Sequence, residues 1–133
     1  MNADSYGLKL NEQSSEQTVY DYNMLMSAMN VSVSKHLMDK NFTVVWANDY
    51  FYSQTLYTKQ EYEAIYHNSC RKYFEQYPEE YEKLAMAIEQ ALLKRKSGYE
   101  CICRMPRKDG SCSWIKVSGM FSDQKINDIP VIY

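Results

Sequence analysis

Three observations predict an α/β chain of the α+β kind, with five strands and a block of helices between the second strand and the third. The stretch RMPRKDGSCSWIKVSGMF, residues 104–121, reads as a β-hairpin. Asp109-Gly110 supplies the positive-φ positions that a tight reversal needs. The flanking residues alternate, with Ile115, Val117 and Phe121 on one face and Trp114, Lys116 and Ser118 on the other. Residues 78–96 carry the start and stop signals of one long helix. Finally, the apolar period switches along the chain in the order helix, two strands, several helices, three strands. At 133 residues there is length for one core.

Taken in order, residues 1–13 are polar and without period, and are expected to form a flexible tail. An amphipathic helix over residues 14–30 begins at Ser14 or Ser15, either a suitable N-cap, with Glu16 in its first turn. Val19, Tyr22, Met26 and Met29 make a narrow apolar stripe with Leu25 beside it. Such a stripe suits the chain's own core or a partner helix. The main domain, residues 31–133, opens with alternation over Val31, Val33 and Leu37; His36 is expected on the solvent side. Asp39-Lys40-Asn41 turns the chain into a second strand, Phe42 to Ala47, rich in β-branched and aromatic residues.

Helical spacing starts at Asn48-Asp49. Thr58 with Glu61 three residues on is a capping-box pattern. His67-Asn68-Ser69 interrupts, and Cys70 to Phe74 is a short helical turn. In the long helix Pro78 takes the first position, Glu79 and Glu80 complement the dipole, and Lys94, Arg95 and Lys96 lie at the other end. Gly98 is expected as the residue that closes it. Its apolar stripe is Tyr81, Leu84, Ala85, Ile88, Ala91 and Leu92. The last three strands are read at 99–105, 112–121 and 129–133, with a loop over 123–128.

The net charge of −2 gives no electrostatic reason to bind nucleic acid or an anionic membrane. No apolar run is long enough to span a bilayer and no signal peptide is seen, so the domain is expected in the cytoplasm, although a longer parent can be membrane-attached. Cys70, Cys101, Cys103 and Cys112 lack metal spacing, and no metal is expected; they read as reduced, small apolar residues. The 13 tyrosines, each an apolar body with a polar tip, suit pocket linings and interfaces alike.

The element order and three local motifs resemble PAS sensory domains, of the type found in bacterial sensor kinases and GGDEF-type signalling proteins. Ala47-Asn48-Asp49-x-Phe51 is similar to that family's N.AF segment. Leu56-Tyr57-Thr58-x-x-Glu61 is similar to its GYt..E segment, with Leu56 where glycine is usual. Arg104, Lys108-Asp109-Gly110 and Trp114 match its R…KDG…W hairpin. The resemblance covers roughly residues 30–133. It implies a PAS-like five-stranded antiparallel sheet with helices on one face, an N-terminal flanking helix, and a pocket between helices and sheet.

Alternation places Cys101, Cys103 and Met105 of the third strand, and Ile115, Val117 and Gly119 of the fourth, toward that pocket. Cys70 and Ile88 join them from the helices. Glu100, Arg104, Trp114 and Lys116 then lie outside, where Trp114 needs cover from a helix of its own chain or of a partner. The resemblance implies a sensory function in two-component or diguanylate cyclase signalling. The domain would bind a small organic ligand or a partner and pass the signal to a fused C-terminal effector, a histidine kinase or a diguanylate cyclase. The chain stops at Tyr133, before the family's Asp-Ile-Thr linker, and so reads as an excised input module. A homodimer is expected, with Val19, Tyr22, Met26, Met29 and Trp114 in the contact.

Neither common cofactor is expected. Asn68-Ser69-Cys70-Arg71 resembles the N-C-R-F-L-Q motif of light-oxygen-voltage flavin domains. A serine is inserted, however, and the positions that grip the flavin in those domains fall here on Met105 and Ile115, which offer no comparable hydrogen bonds. Haem needs an axial ligand on the long helix, and residues 78–96 contain no histidine. No phosphate loop, nucleophile elbow or kinase signature points to an enzyme. The competing class is a small α+β pocket enzyme of isomerase-like cone fold. That class needs an inward carboxylate or histidine, whereas the inward positions are Cys, Met, Ile, Val and Gly.

Overall fold

The computed structural model describes residues 14–133; the tail expected at 1–13 lies outside the described residues. It resolves into two units, the first ending at Val31 and the second running from Ser32 to Tyr133. In the first, α1 (Ser15–Met29) is capped at Ser14, whose hydroxyl accepts from the Gln17 N–H, and ends on Asn30 in the left-handed conformation. Val19, Tyr22 and Met29 are exposed and Met26 is half-buried.

The second unit is a five-stranded sheet with four helices between its second and third strands. Its strands are β1 (Ser34–Leu37), β2 (Val44–Ala47), β3 (Gly98–Pro106), β4 (Cys112–Ile126) and β5 (Ile129–Ile132). They lie in the order β2-β1-β5-β4-β3, every neighbouring pair antiparallel. The helices are α2 (Asp49–Thr55), α3 (Lys59–Tyr66), α4 (Cys70–Tyr73) and α5 (Pro78–Leu93). Asn48 caps α2, and the Thr58–Glu61 capping box is formed in both directions. Among the described residues no helix is long and apolar enough to cross a membrane.

Several expectations are corrected. Val31 lies outside β1, and Phe42 sits in the turn at φ 48°, so the first hairpin is shorter at both strands. His36 is buried, not solvent-facing. The register shifts between Lys35 and His36, and the irregularity turns the imidazole inward. The inward face of α5 is rotated from the predicted stripe: Glu80, Leu84 and Ala91 are buried, while Ala85 and Leu92 face solvent. The left-handed residue after α5 is Arg95, at φ 54°, and Gly98 already belongs to β3. Gly98 is small for another reason: a Cβ there would strike the Gly119 carbonyl oxygen. The predicted loop at 123–128 is strand as far as Ile126. The reversal needs only Asn127 and Asp128, both at positive φ.

The core lies between the inner sheet face and the helices. Tyr62, Ile132 and Cys103 are almost wholly excluded from solvent there. Rings from α2, α3 and α4 interlock: Tyr62 lies 5.7 Å from Tyr52 and 5.3 Å from Tyr73, and Tyr66 meets Tyr73 edge-on at 4.9 Å.

Candidate functional site

The residues predicted to line a pocket do converge. Cross-strand pairing sets Cys101 against Val117 and Cys103 against Ile115. Cys70, Cys101, Cys103 and Met105 are buried together, with Ile88, Ile115 and Val117 packed against them. Tyr99, opposite Gly119, lays its ring where a Cβ at 119 would be. This volume is occupied by side chains of the core, Tyr62, Tyr73, Leu84 and Tyr99 among them. Cys70, Cys101 and Cys103 are free thiols whose pKa values burial raises, to about 12 for Cys70 and Cys103. Cys112, at the start of β4, is exposed.

The outer sheet face is as alternation predicted. Trp114 is 67% exposed and Ile102 lies open nearby. Lys83 and Arg104 stand over the indole at 5.8 and 5.6 Å from its centroid. Beside them Glu80 is 1% exposed. Its carboxylate accepts from the Arg104 backbone N–H at 2.7 Å and from the Lys83 ammonium at 3.1 Å. The Arg104 bond first, and then the hydrogen bond and charge of Lys83, outweigh the upward pull of desolvation and hold the Glu80 carboxyl below the ordinary range.

Open space lies elsewhere. A cavity of about 240 Å³ forms where α3, the α4–α5 junction and the β3–β4 turn meet, bordered by Tyr57, Tyr66, Tyr73, Tyr77, Lys72 and Arg107. A wider cleft of about 750 Å³ runs between the end of α5 and the β3–β4 ladder, over Ala91, Gly98, Tyr99 and Gly119. Of the eight predicted pocket residues only Gly119 borders either space. The hairpin that bounds the smaller cavity is tied down: the Lys108 N–H donates to the Thr55 carbonyl at 3.0 Å, and Arg107 Nε to the Gln54 carbonyl at 3.1 Å. Lys108 also pairs with Glu61, the acid of the capping box. Tyrosine abundance was the sequence signal for this lining. What it lacked was position: Tyr62 and Tyr66, one turn apart on α3, divide between core and cavity rim.

Among the described residues no group of three or more His, Cys, Asp or Glu side chains could hold a metal ion. No family model matches the sequence, and no curated protein does. Solved structures do. A PAS domain from a two-component sensor histidine kinase superposes with a TM-score of 0.59 at 12% identity, covering 90% of this chain and 94% of that one. The PAS domain of the fruit-fly ELK potassium channel gives 0.56 at 15% identity, covering 90% and 93%. An RNA-binding light-oxygen-voltage receptor gives 0.56 at 16% identity, covering 94% of this chain and 35% of the receptor. At these identities the likeness is one of fold, and the fold is that of PAS domains.

Proposed function

We propose that this PAS-fold chain is a sensory input domain that responds to a small organic molecule or a protein partner and relays its state to an effector in the same polypeptide, a histidine kinase or a diguanylate cyclase. The observation that carries the reading is the architecture itself: sheet order β2-β1-β5-β4-β3 with α2 to α5 between β2 and β3, which superposes on a sensor-kinase PAS domain over 90% of this chain. Association of two chains through α1 is the proposed route of relay. Val19, Tyr22 and Met29 offer exposed apolar area on that helix, and Trp114 offers more on the sheet. Leaving such area in water costs about 25 cal/mol per Å². Free thiols and near-neutral charge suit a cytoplasmic domain that does not bind nucleic acid, and Met105 and Ile115 at the flavin-gripping positions, with no histidine in residues 78–96, argue against flavin and haem. The inward histidine, His36, has both ring nitrogens bonded within the fold and borders neither open space, and β3 and β4 carry no inward carboxylate or histidine, which favours this reading over a pocket enzyme.

Sedimentation of this chain is expected to show a weak dimer that Val19→Glu/Met26→Glu converts to monomer. In a polypeptide that joins the chain to its effector, the same pair of substitutions is expected to change kinase or cyclase output severalfold. An output indifferent both to these substitutions and to deletion of the domain overturns the relay. A wild type monomeric at high micromolar concentration overturns the dimer.

A further inference from the structure

The geometry points to the tyrosine-lined cavity as a binding site for a small aromatic carboxylate, a one-ring anion whose ring lies among the phenols and whose charge meets Lys72 and Arg107. The inference deepens the sensory reading, on which its biological meaning rests, by naming the place and chemical class of the ligand. It departs from the interior pocket that the sequence suggested, since the cavity shares no residue with those eight positions.

Size comes first. Pockets for drug-sized molecules begin at about 300 Å³, and this one is about 240 Å³. A single ring with one substituent is the scale that fits.

Charge comes next. Lys72, Arg107 and Lys108 border the cavity against one acid, Glu75. Lys108 is already paired with Glu61. No carboxylate among the described residues forms an ion pair with Lys72 or Arg107. Arg107 has its Nε fixed on the Gln54 carbonyl, so its planar fork is held by one corner and keeps its terminal N–H groups for a ligand. Asp109 in the turn feels the Arg107 charge, so acids offset the cations in number; what marks the place is that Lys72 and the terminal N–H groups of Arg107 form no ion pair among the described residues.

Hydrogen-bond donors are also in excess. Tyr66 and Tyr57 share a hydroxyl–hydroxyl bond of 2.8 Å, which uses one of their two protons and leaves the other without an acceptor among the described residues. Tyr73 spends its proton on the Pro106 carbonyl. Burial and the Tyr57 bond raise the Tyr66 pKa, so the pair remains a donor at neutral pH. An acceptor-only group completes this set, and a carboxylate is one.

The backbone argues against phosphate. A phosphate site draws on free N–H groups in a turn or nest. Here the Arg107 N–H is taken by the Ser111 carbonyl, Lys108 by Thr55, and Gly110 by the Arg107 carbonyl, while Ser111 donates to Asp109 Oδ1 at 2.9 Å. The turn residues that border the cavity are thus left with only their side chains to meet an anion, and these are interleaved with rings. Tyr57 and Tyr66 stand edge to face at 5.4 Å, and Tyr57 and Tyr73 at 6.2 Å, a lining that suits a flat apolar body.

The experiment titrates the folded chain with benzoate, benzamide and inorganic phosphate, followed by amide 1H–15N spectra. Benzoate is expected to shift the amides of Tyr57, Tyr66, Tyr77 and Ser111 at millimolar concentration, and benzamide to bind about tenfold more weakly for want of the charge-assisted bonds. Lys72→Gln, an exposed position whose change leaves the fold intact, is expected to weaken benzoate about tenfold and leave benzamide unaltered. Equal responses to benzoate and benzamide, competition by phosphate at equal strength, shifts centred on Cys103 and Ile115, or no response at all would each overturn the assignment. The sensory reading survives any of these results, because its own test is effector output.

Discussion

His36 makes folding sensitive to mild acid. Its Nδ1–H donates to the Phe42 carbonyl at 3.0 Å, its Nε2 accepts from the Ser34 hydroxyl at 2.8 Å, and its ring stacks on Phe42 at 4.2 Å. That arrangement fits the neutral imidazole. Desolvation lowers the pKa from 6.5 to about 4, against smaller upward pulls from the Phe42 bond and Asp39. The unfolded chain takes up a proton below 6.5, whereas the folded chain refuses it until about 4. Stability is therefore complete above 6.5 and falls as pH drops through that window, by about 3 kcal/mol in all. Urea melts of wild type and His36→Gln between pH 7 and pH 4 check this. The variant, able to donate to the same carbonyl, should show a visibly shallower loss, and parallel curves would sink the idea. Sequence alternation could not reveal this residue. Alternation assumes an unbroken register, and the shift between Lys35 and His36 breaks it. Where the ladder runs unbroken, from Gly98–Met120 to Pro106–Cys112, the same rule sorted Cys101, Cys103, Ile115 and Trp114 to their faces.

At the scale of elements, α5 and β3 are joined by one carboxylate. β3 is an edge strand, and such edges leave N–H groups that can recruit a foreign strand. Glu80 answers the Arg104 N–H from the first turn of α5. Glu80→Ala is expected to cost about 2 kcal/mol by leaving that donor unpaired, and Glu80→Gln, which keeps an acceptor oxygen, distinctly less. Equal urea midpoints for the two variants would contradict this account. Because the Glu80 pKa is depressed, the bond's stabilisation is present above the ordinary carboxylate range and lost as pH falls through the lowered value. In the sequence Glu80 read as a dipole complement, which is true of its place in the first turn but silent about its partner 24 residues on. Local signals were the legible ones: Ser14, Asn48, Thr58 and Pro78 mark helix starts because capping is decided within four residues. The stop of α5 was misplaced because a left-handed Arg95 leaves no compositional mark.

For the molecule as a whole, element order carried the fold and local pattern carried the faces, but neither showed which spaces stay open. Whether an inward residue lines a void or fills one depends on every neighbour's volume. Here Tyr62, Tyr73 and Tyr99 fill the interior, and the two open spaces described above lie at the hairpin turn and the end of α5. One consequence concerns thiol chemistry. Three cysteines are sealed in that filled interior with their protons held on, and a fourth stands in solvent. An alkylating reagent should therefore consume one thiol per chain promptly and the other three only as fast as the core opens. Mass spectrometry of a time course would resolve the two classes; four thiols reacting in a single phase would disprove the partition. The slow phase becomes a clock for breathing between sheet and helices, and a ligand that tightens the domain would slow it without needing to touch a cysteine.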